Sequence, residues 1–305
     1  MQFNPDATSL PLRRHLPAIP GSPEGAAWFW GKDDELGRLN LLTPARTAAA
    51  AKLVESGQVV NLNLPAELPD PPMFGREPFK FTIKSLGPAG NDDLHSLNTQ
   101  SGSQWDGFRH TTSDDITQTS RCGIQAWANH GIVSRGVLLD FWAYAGKSYD
   151  PNTTHPISLP DLLACAKRQN IEFRYGDILI IRTGWVDVYK RMSMEERRRL
   201  GSKAWAEQTF VGVEQSTEMA DFLHDQYFSA VASDAPGFES WPTDKAWNHH
   251  ENLLPLWGVP IGETWDLERL AEACHSHQRW EFFFTSIPTN VSGGVGSYSN
   301  ALAIF

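Results

Sequence analysis

The sequence contains no long apolar run, no paired-cysteine motif and no excess of basic residues. Because no stretch approaches the roughly 18 apolar residues of a transmembrane helix, we expect no membrane span. The three cysteines form neither a Cys-x-x-Cys motif nor an even-numbered disulfide framework, which indicates reduced thiols in a reducing compartment. A formal net charge of −10 argues against nucleic acid or an anionic membrane surface as a partner.

The beginning of the sequence also lacks the basic and apolar segments of a secretory signal. We therefore expect a cytoplasmic protein that acts on a small molecule. Apolar residues make up 41% of the 305 residues and charged residues 20%, a balance typical of globular proteins. The 12 tryptophans are many for this length, and such rings often line small-molecule pockets, although we expect most of them to fill the core.

Strand and helix patterns follow one another along the chain without a clean boundary. Apolar runs predict buried strands at 136–141, 178–185 and 228–234. Residues 1–25 are rich in proline and glycine, so we predict an N-terminal arm over 1–35 and a single α/β catalytic domain over 36–305. The proline-rich segment 65–78 is expected to be a loop that wraps over a surface or a pocket.

The most informative stretch, residues 100–110, is too polar for ordinary core. Its candidate side chains are Gln100, Gln104, Asp106 and His110, and in an extended chain residues two apart share a face. A carboxylate, an imidazole and two amide oxygens on one face could bind a divalent cation or form an acid–base pair. A loop whose polar side chains bond its own backbone would give the same pattern, so both interpretations stay open.

Other candidates lie at the ends of apolar runs, where α/β proteins often place their sites. These are Asp140, Asp234 and Arg182, and each of them could equally be a residue that caps a turn. The adjacent pair His249-His250 and Glu263 lie far from residues 100–110 in the sequence, so only tertiary structure could bring them to that stretch.

The spacing in residues 100–110 resembles the His-x-Gly-Thr-His-x-Asp-x-Pro-x-His signature of the metal-dependent cyclase family, which includes bacterial kynurenine formamidase and isatin hydrolase. Asp106 matches the aspartate and His110 the last histidine, whereas Gln100 and Gln104 stand at the first two histidine positions. Further similarity follows in chain order in the segments 136–140, 176–185, 233–236 and 250–254, and at Glu263.

This resemblance implies a swivelling β/β/α fold with a central mixed sheet, assembled as a homodimer or homotetramer. It implies hydrolysis of a small cyclic amide, lactone or aryl formamide at one or two divalent cations. The implied metal ligands are Asp106, His110, His250, Gln104 and Gln100.

By the same resemblance, the implied catalytic residues are His110, Glu263 and Asp106. Residues expected to contact the substrate are Trp105, Arg182 and His249. The metal expected from the resemblance is Mn²⁺ or Zn²⁺, with Mg²⁺ or no metal as alternatives. Mn²⁺ and Mg²⁺ are included because an amide oxygen is a poorer ligand for zinc than an imidazole is, and harder ions tolerate it better.

Two further functions remain open from the sequence. Without a metal, Asp106 and His110 could transfer protons in a cyclase, isomerase or lyase, and the glutamines could stabilise an oxyanion. The third possibility is a non-catalytic protein that binds a small molecule on the same scaffold.

Overall fold

Short apolar runs form strands that collect into one mixed sheet, with helices packed around it. The computed structural model of the protein describes residues 2–111, 117–243 and 245–305. Among these residues the strands are β1 (Val59–Asn61), β2 (Lys80–Ser85), β3 (Asn91–Ser96), β4 (Gln104–Asp106), β5 (Ile132–Leu139), β6 (Pro156–Ile157), β7 (Ile178–Ile181), β8 (Gly212–Val213), β9 (Ala230–Ser233), β10 (Ile261–Glu263), β11 (Glu281–Ser286), β12 (Gly296–Tyr298) and β13 (Ala301–Ile304).

Six of the α-helices in the described residues begin at capping side chains that the sequence offers. For example, Thr43 precedes a proline and accepts a hydrogen bond from the backbone of Arg46, which satisfies one free N–H of the first turn. In the described residues the α-helices are α1 (Pro44–Ala51), α2 (Gln125–His130), α3 (Phe141–Tyr144), α4 (Leu159–Arg168), α5 (Trp185–Arg191), α6 (Met194–Gly201), α7 (Thr217–Asp225), α8 (His249–Glu251) and α9 (Glu268–His277). None of these described helices is long and apolar enough to cross a bilayer.

The main sheet has the strand order β1-β13-β11-β5-β7-β9-β10-β4-β12. Strands β5, β7, β9 and β10 are parallel neighbours, and β7 and β9 are buried along their whole length, as expected for strands covered on both faces. Antiparallel strands flank this parallel centre on either side. The predicted single α/β domain with a central mixed sheet is confirmed.

The candidate site depends on one antiparallel pair near the edge of this sheet. In the pairing of β4 with β10, Gln104 lies opposite Glu263 and Asp106 lies opposite Ile261. Because alternate residues of a strand share a face, this register places Gln104, Asp106 and Glu263 on the same side of the sheet.

The arm predicted over residues 1–35 packs, in its described residues 2–35, against the body of the protein. Arg13 donates its backbone N–H to Asp225 at 2.6 Å and pairs with Asp221 at 2.5 Å. Behind these contacts, the Arg38 guanidinium is fully buried and lies 3.9 Å from the centre of the Tyr227 ring. The predicted boundary at residue 36 stays a prediction.

His224 is buried beside Arg38 and Asp225, and these surroundings disfavour its protonated form. Its Nδ1 lies 2.8 Å from Asp225 Oδ1, and the Arg38 Nη1 donates to its backbone carbonyl at 3.3 Å. Burial, together with the nearby Arg38 charge, lowers the pKa of His224 to about 4, although Asp225 opposes this shift. His224 is therefore neutral in the folded protein at pH 7.

This depressed pKa predicts acid sensitivity. Between the ordinary pKa of 6.5 and the folded pKa of about 4, the unfolded chain binds more protons at His224, so the free energy of unfolding decreases as the pH falls. The full shift corresponds to on the order of 3 kcal/mol. Urea unfolding from pH 7 to 4.5 should show a shallower pH dependence for His224→Gln, which does not titrate; equal slopes would contradict this account.

Candidate active site

Strand β4 sends its side chains to two different environments. Trp105 points to the opposite face from its neighbours and is fully buried, with its ring 4.9 Å from Trp265 and 6.4 Å from Trp127. Gln104 and Asp106 point to the other face, where they are also buried. The expectation that alternate residues of this stretch share a face is met for these two.

The side-chain amide of Gln104 lies between three oxygen atoms. Its Nε2 is 2.9 Å from Gln100 Oε1, 3.2 Å from Asp106 Oδ1 and 2.8 Å from Glu263 Oε2. An amide nitrogen carries two N–H donors, so these acceptors share them. Gln104 therefore fixes the positions of both carboxylates and turns its nitrogen, rather than its oxygen, toward them.

His250 reaches the same carboxylates from α8. Its Nε2 is 2.9 Å from Glu263 Oε1 and 3.5 Å from Asp106 Oδ2. On the other side of the ring, Nδ1 is 2.8 Å from Glu239 Oε2, and the backbone N–H of His250 donates to Glu239 Oε1 at 3.3 Å. Glu239 thus fixes the orientation of the imidazole.

Burial and mutual charge shift the pKa values of these groups in different directions. Burial alone would lower the pKa of His250, but Glu239, Asp106 and Glu263 raise it well above its ordinary value. Burial and the negative charge of Asp106 raise the pKa of Glu263 to about 7. The pKa of Asp106 is lowered despite its burial, because His110 and His250 stabilise the carboxylate. Positive His250 likewise outweighs burial and lowers the pKa of Glu239 to about 2.

His110 follows β4 and stands at the edge of this group. Its Nε2 is 3.9 Å from Asp106 Oδ2, and a quarter of its side chain is exposed. Asp106 favours the charged imidazole, but burial and the positive charges of His250 and Arg76 outweigh it, so the pKa of His110 is lowered. A neutral imidazole at pH 7 can accept a proton from a bound molecule.

Asp106, Glu239 and Glu263 surround His250, and we call these four residues the acidic group. This group lies beside a cavity of about 180 Å³. That volume is small compared with the 300–1,000 Å³ of drug-sized sites. Four aromatic rings form much of the wall, and most of the polar groups are those described above. The lining residues are Phe74, Arg76, His110, Thr111, Trp205, Phe210, Pro236, Gly237, Glu239, Trp241, Asn248, His250 and Glu263.

Two of these lining residues, Glu239 and Arg76, are not singled out by the sequence. Glu239 follows the segment 233–236 that resembles the cyclase family, and an acidic residue so close to a strand end was the available signal. Arg76 belongs to the proline-rich loop 65–78, which does wrap over a pocket as expected. Nothing in its local sequence distinguishes it from a surface arginine.

The three residues expected to contact substrate lie outside this cavity. Trp105 donates its ring N–H to Ser286 at 2.9 Å within the core, and His249 is buried with Nε2 2.8 Å from the carbonyl oxygen of Glu214. Arg182 pairs with Asp140 and Glu268. The contacts of these three side chains are with the body of the protein, and none of the three lines the cavity.

The strand-end aspartates also have structural roles. Asp140 accepts a hydrogen bond from the backbone of Ala143 at the start of α3, and it pairs with Arg182. Asp234 accepts hydrogen bonds from Thr183, Gly184 and the backbone of Val186. Both side chains order the turns that follow the central strands.

The role of Arg182 can be tested by its removal. Its guanidinium bonds Asp140 at 3.0 Å and both oxygens of Glu268 at 2.9 and 2.7 Å. Arg182→Met removes the buried guanidinium from both carboxylates, so we expect a loss of about 3–5 kcal/mol in the free energy of unfolding, measured by urea denaturation. The metal content of the folded variant should equal that of the wild type. Unchanged stability with an altered metal content would instead return Arg182 to the site.

Comparisons with known proteins agree with this arrangement. A family model described as "Putative cyclase" matches residues 17–240. This chain belongs to the cyclase family. The predicted resemblance is thereby confirmed, while His250 and Glu263 lie beyond the matched residues. No curated protein matches the sequence.

Several solved structures share the fold of this chain. One, described as a novel cyclase, is 28% identical with a TM-score of 0.81, and the match covers 92% of this chain and 99% of that chain. Isatin hydrolase A from Ralstonia solanacearum is 18% identical (TM-score 0.59; 85% and 95% covered). Isatin hydrolase A from Labrenzia aggregata is also 18% identical (TM-score 0.60; 86% and 98% covered). At this identity the two isatin hydrolases show the fold alone.

The metal implied by the family fits one set of residues better than another. In the part of the chain that the structure describes, Asp106, His250 and Glu263 form a group whose ligand atoms lie within 4.8 Å of one another. Asp106 Oδ2 is buried and makes no hydrogen bond within that part, and the nearby nitrogens of His250 and His110 lie 3.5 and 3.9 Å away, so the oxygen keeps a lone pair for a cation. The expected ligands Gln100 and Gln104 fit poorly, because the Gln104 nitrogen occupies the space between the carboxylates.

Proposed function

We propose that this cyclase-family protein hydrolyses a small cyclic amide, lactone or aryl formamide with the help of one divalent cation. The observation that carries the proposal is the acidic group itself. Three fully buried carboxylates, those of Asp106, Glu239 and Glu263, lie next to the single imidazole of His250. We propose further that the protein works in the cytoplasm as a homodimer or homotetramer, with free thiols at all three cysteines.

The charge of this group supports a cation. Even with His250 protonated, three ionised carboxylates leave an excess of negative charge in a buried site, which is costly unless it is neutralised. The raised pKa of Glu263 expresses the same imbalance, because a proton there removes one charge. A divalent cation would neutralise this excess negative charge while all three carboxylates stay ionised.

Asp106, His250 and Glu263 would hold the cation, and there it would supply positive charge for the carbonyl oxygen of the substrate. Two carboxylates and one imidazole are suitable ligands for Mn²⁺ or Zn²⁺. The two carboxylates would also suit Mg²⁺, which prefers oxygen ligands. Glu239 bonds the far nitrogen of His250, an arrangement that commonly orients metal-binding histidines.

The other residues bind, orient and transfer protons. Gln104 holds Asp106 and Glu263 so that their remaining oxygens face His250. His110, neutral at pH 7 and facing the cavity, accepts a proton from the attacking water and returns it to the leaving group.

A second function, metal-independent acid–base catalysis, has one observation in its favour. The Gln104 amide already donates to both carboxylates, and His250 has a raised pKa, so a proton and two N–H groups offset part of the negative charge. In that case Asp106 and His110 would transfer protons in a cyclase, isomerase or lyase reaction.

Metal analysis separates these two functions. Protein purified without chelators should contain about one equivalent of divalent metal, measured by mass spectrometry of the ions. Asp106→Asn removes a charged ligand and should weaken metal binding by at least roughly 10–100-fold and abolish hydrolysis. Its thermal stability should stay near that of the wild type or rise. Metal well below stoichiometric amounts, with catalysis insensitive to chelators, would favour the metal-independent function.

The role of Gln104 can be examined in the same assay. Gln104→His replaces the amide donor with an imidazole ligand next to Asp106, so we expect tighter zinc binding and a second metal equivalent in calorimetric titrations. Gln104→Leu is the matched control, because it removes the amide without adding a ligand. Equal zinc affinity in Gln104→His and Gln104→Leu would mean that the new imidazole does not bind the metal and would contradict the expectation.

A further inference from the structure

The loop that carries Arg76 into the cavity is anchored firmly to the body of the protein. The backbone N–H of Asp70 donates to the Tyr189 hydroxyl at 2.8 Å. At the end of α6, Gly201 lies so close to this loop that an added Cβ would be 2.3 Å from the Pro71 carbonyl oxygen. The loop is therefore fixed by residues that do not line the cavity.

The same loop contains an unfavourable backbone conformation beside the cavity. Phe74 has φ 62° and ψ 22°, in the left-handed region that bulky residues rarely adopt, and Gly75 follows with φ 65°. Such strain persists only where the surroundings enforce it, and it concentrates at binding sites. Here it places the Phe74 ring 4.6 Å from Trp205 and holds Arg76 5.0 Å from the Phe74 ring centre.

The Arg76 guanidinium is only partly used by the protein. Its Nη1 donates to the carbonyl oxygen of Gln100 at 2.5 Å. Within the described residues it forms no ion pair and no other hydrogen bond, which leaves four of its five N–H groups for a ligand. It is also the one lysine or arginine among the described side chains that line the cavity.

We propose that Arg76 binds a carboxylate carried by the substrate and so determines which substrates the enzyme accepts. The planar guanidinium matches a carboxylate with two parallel hydrogen bonds. The neighbouring rings of Phe74, Trp205, Phe210 and Trp241 suit a flat apolar body attached to that group. This inference rests on the proposed hydrolase function, since it names the substrate class of the same cavity.

Charge also sets the direction in which such a substrate lies. Glu239 and Glu263 line the cavity beside His250 and would repel an anion. The carboxylate is therefore held at Arg76, and the bond to be hydrolysed faces His110 and the acidic group. A neutral substrate of the same shape gains no such orientation.

Binding of two simple probes tests this inference. Benzoate and benzamide have nearly the same shape and differ in charge, and isothermal titration calorimetry can measure both. We expect benzoate to bind at least about tenfold more tightly than benzamide to the wild type, the difference expected for one charged hydrogen-bonded pair. Arg76→Met should abolish this preference, Arg76→Lys should keep part of it, and Arg198→Met, an exposed arginine on α6, should leave it unchanged.

Other outcomes would overturn the inference. Equal affinities for the two probes in the wild type would do so, as would a preference that survives Arg76→Met. A preference lost in Asp106→Asn, or on addition of chelator, but kept in Arg76→Met would show that a cation holds the carboxylate. Because calorimetry measures binding directly, and product analysis shows whether benzamide stays intact, this comparison is independent of the proposed reaction. Failure to hydrolyse any ester or amide would count against that reaction alone.

Discussion

The antiparallel pairing of β4 with β10 is the constraint on which the whole site depends. It sets Gln104 directly opposite Glu263 and places Asp106 two residues along the same face. Three side chains that would each be costly to bury alone thereby become partners through one amide group. A shift of one residue in this register would turn Asp106 into the core and Trp105 into the cavity, so the site and the fold require the same alignment.

Gln104 places a neutral donor where the resemblance to the cyclase signature implies a histidine ligand. A histidine at position 104 would offer a lone pair to a cation, whereas the amide nitrogen offers only hydrogen atoms. The charge that remains is shared between Glu239, His250 and Glu263, which form a continuous hydrogen-bonded chain across the imidazole. The electrostatic design therefore centres on His250 rather than on the signature segment.

The sequence predicts the architecture well because buried parallel strands are continuous apolar runs, as in 178–181 and 230–233. The resemblance to the cyclase family also selects Asp106, His250 and Glu263, which the structure brings together. The direction in which each side chain points from its strand or helix is what the sequence does not predict. His249 and His250 are adjacent, yet one ring packs into the core and the other faces the carboxylates of the acidic group, since neighbours on a helix point in different directions.

The hairpin formed by β2 and β3 has a consequence for how this protein can change. Its strands are exposed along their whole length, yet its two ends lead directly to Arg76 and Gln100. A hydrogen bond of 2.9 Å between Asn98 and Glu77 closes its base. The chain can therefore lengthen or shorten at the hairpin tip, near 87–90, while the residues beside the cavity stay in register. Sequence variation at the hairpin tip can therefore change the surface of the protein while the residues that line the cavity keep their positions.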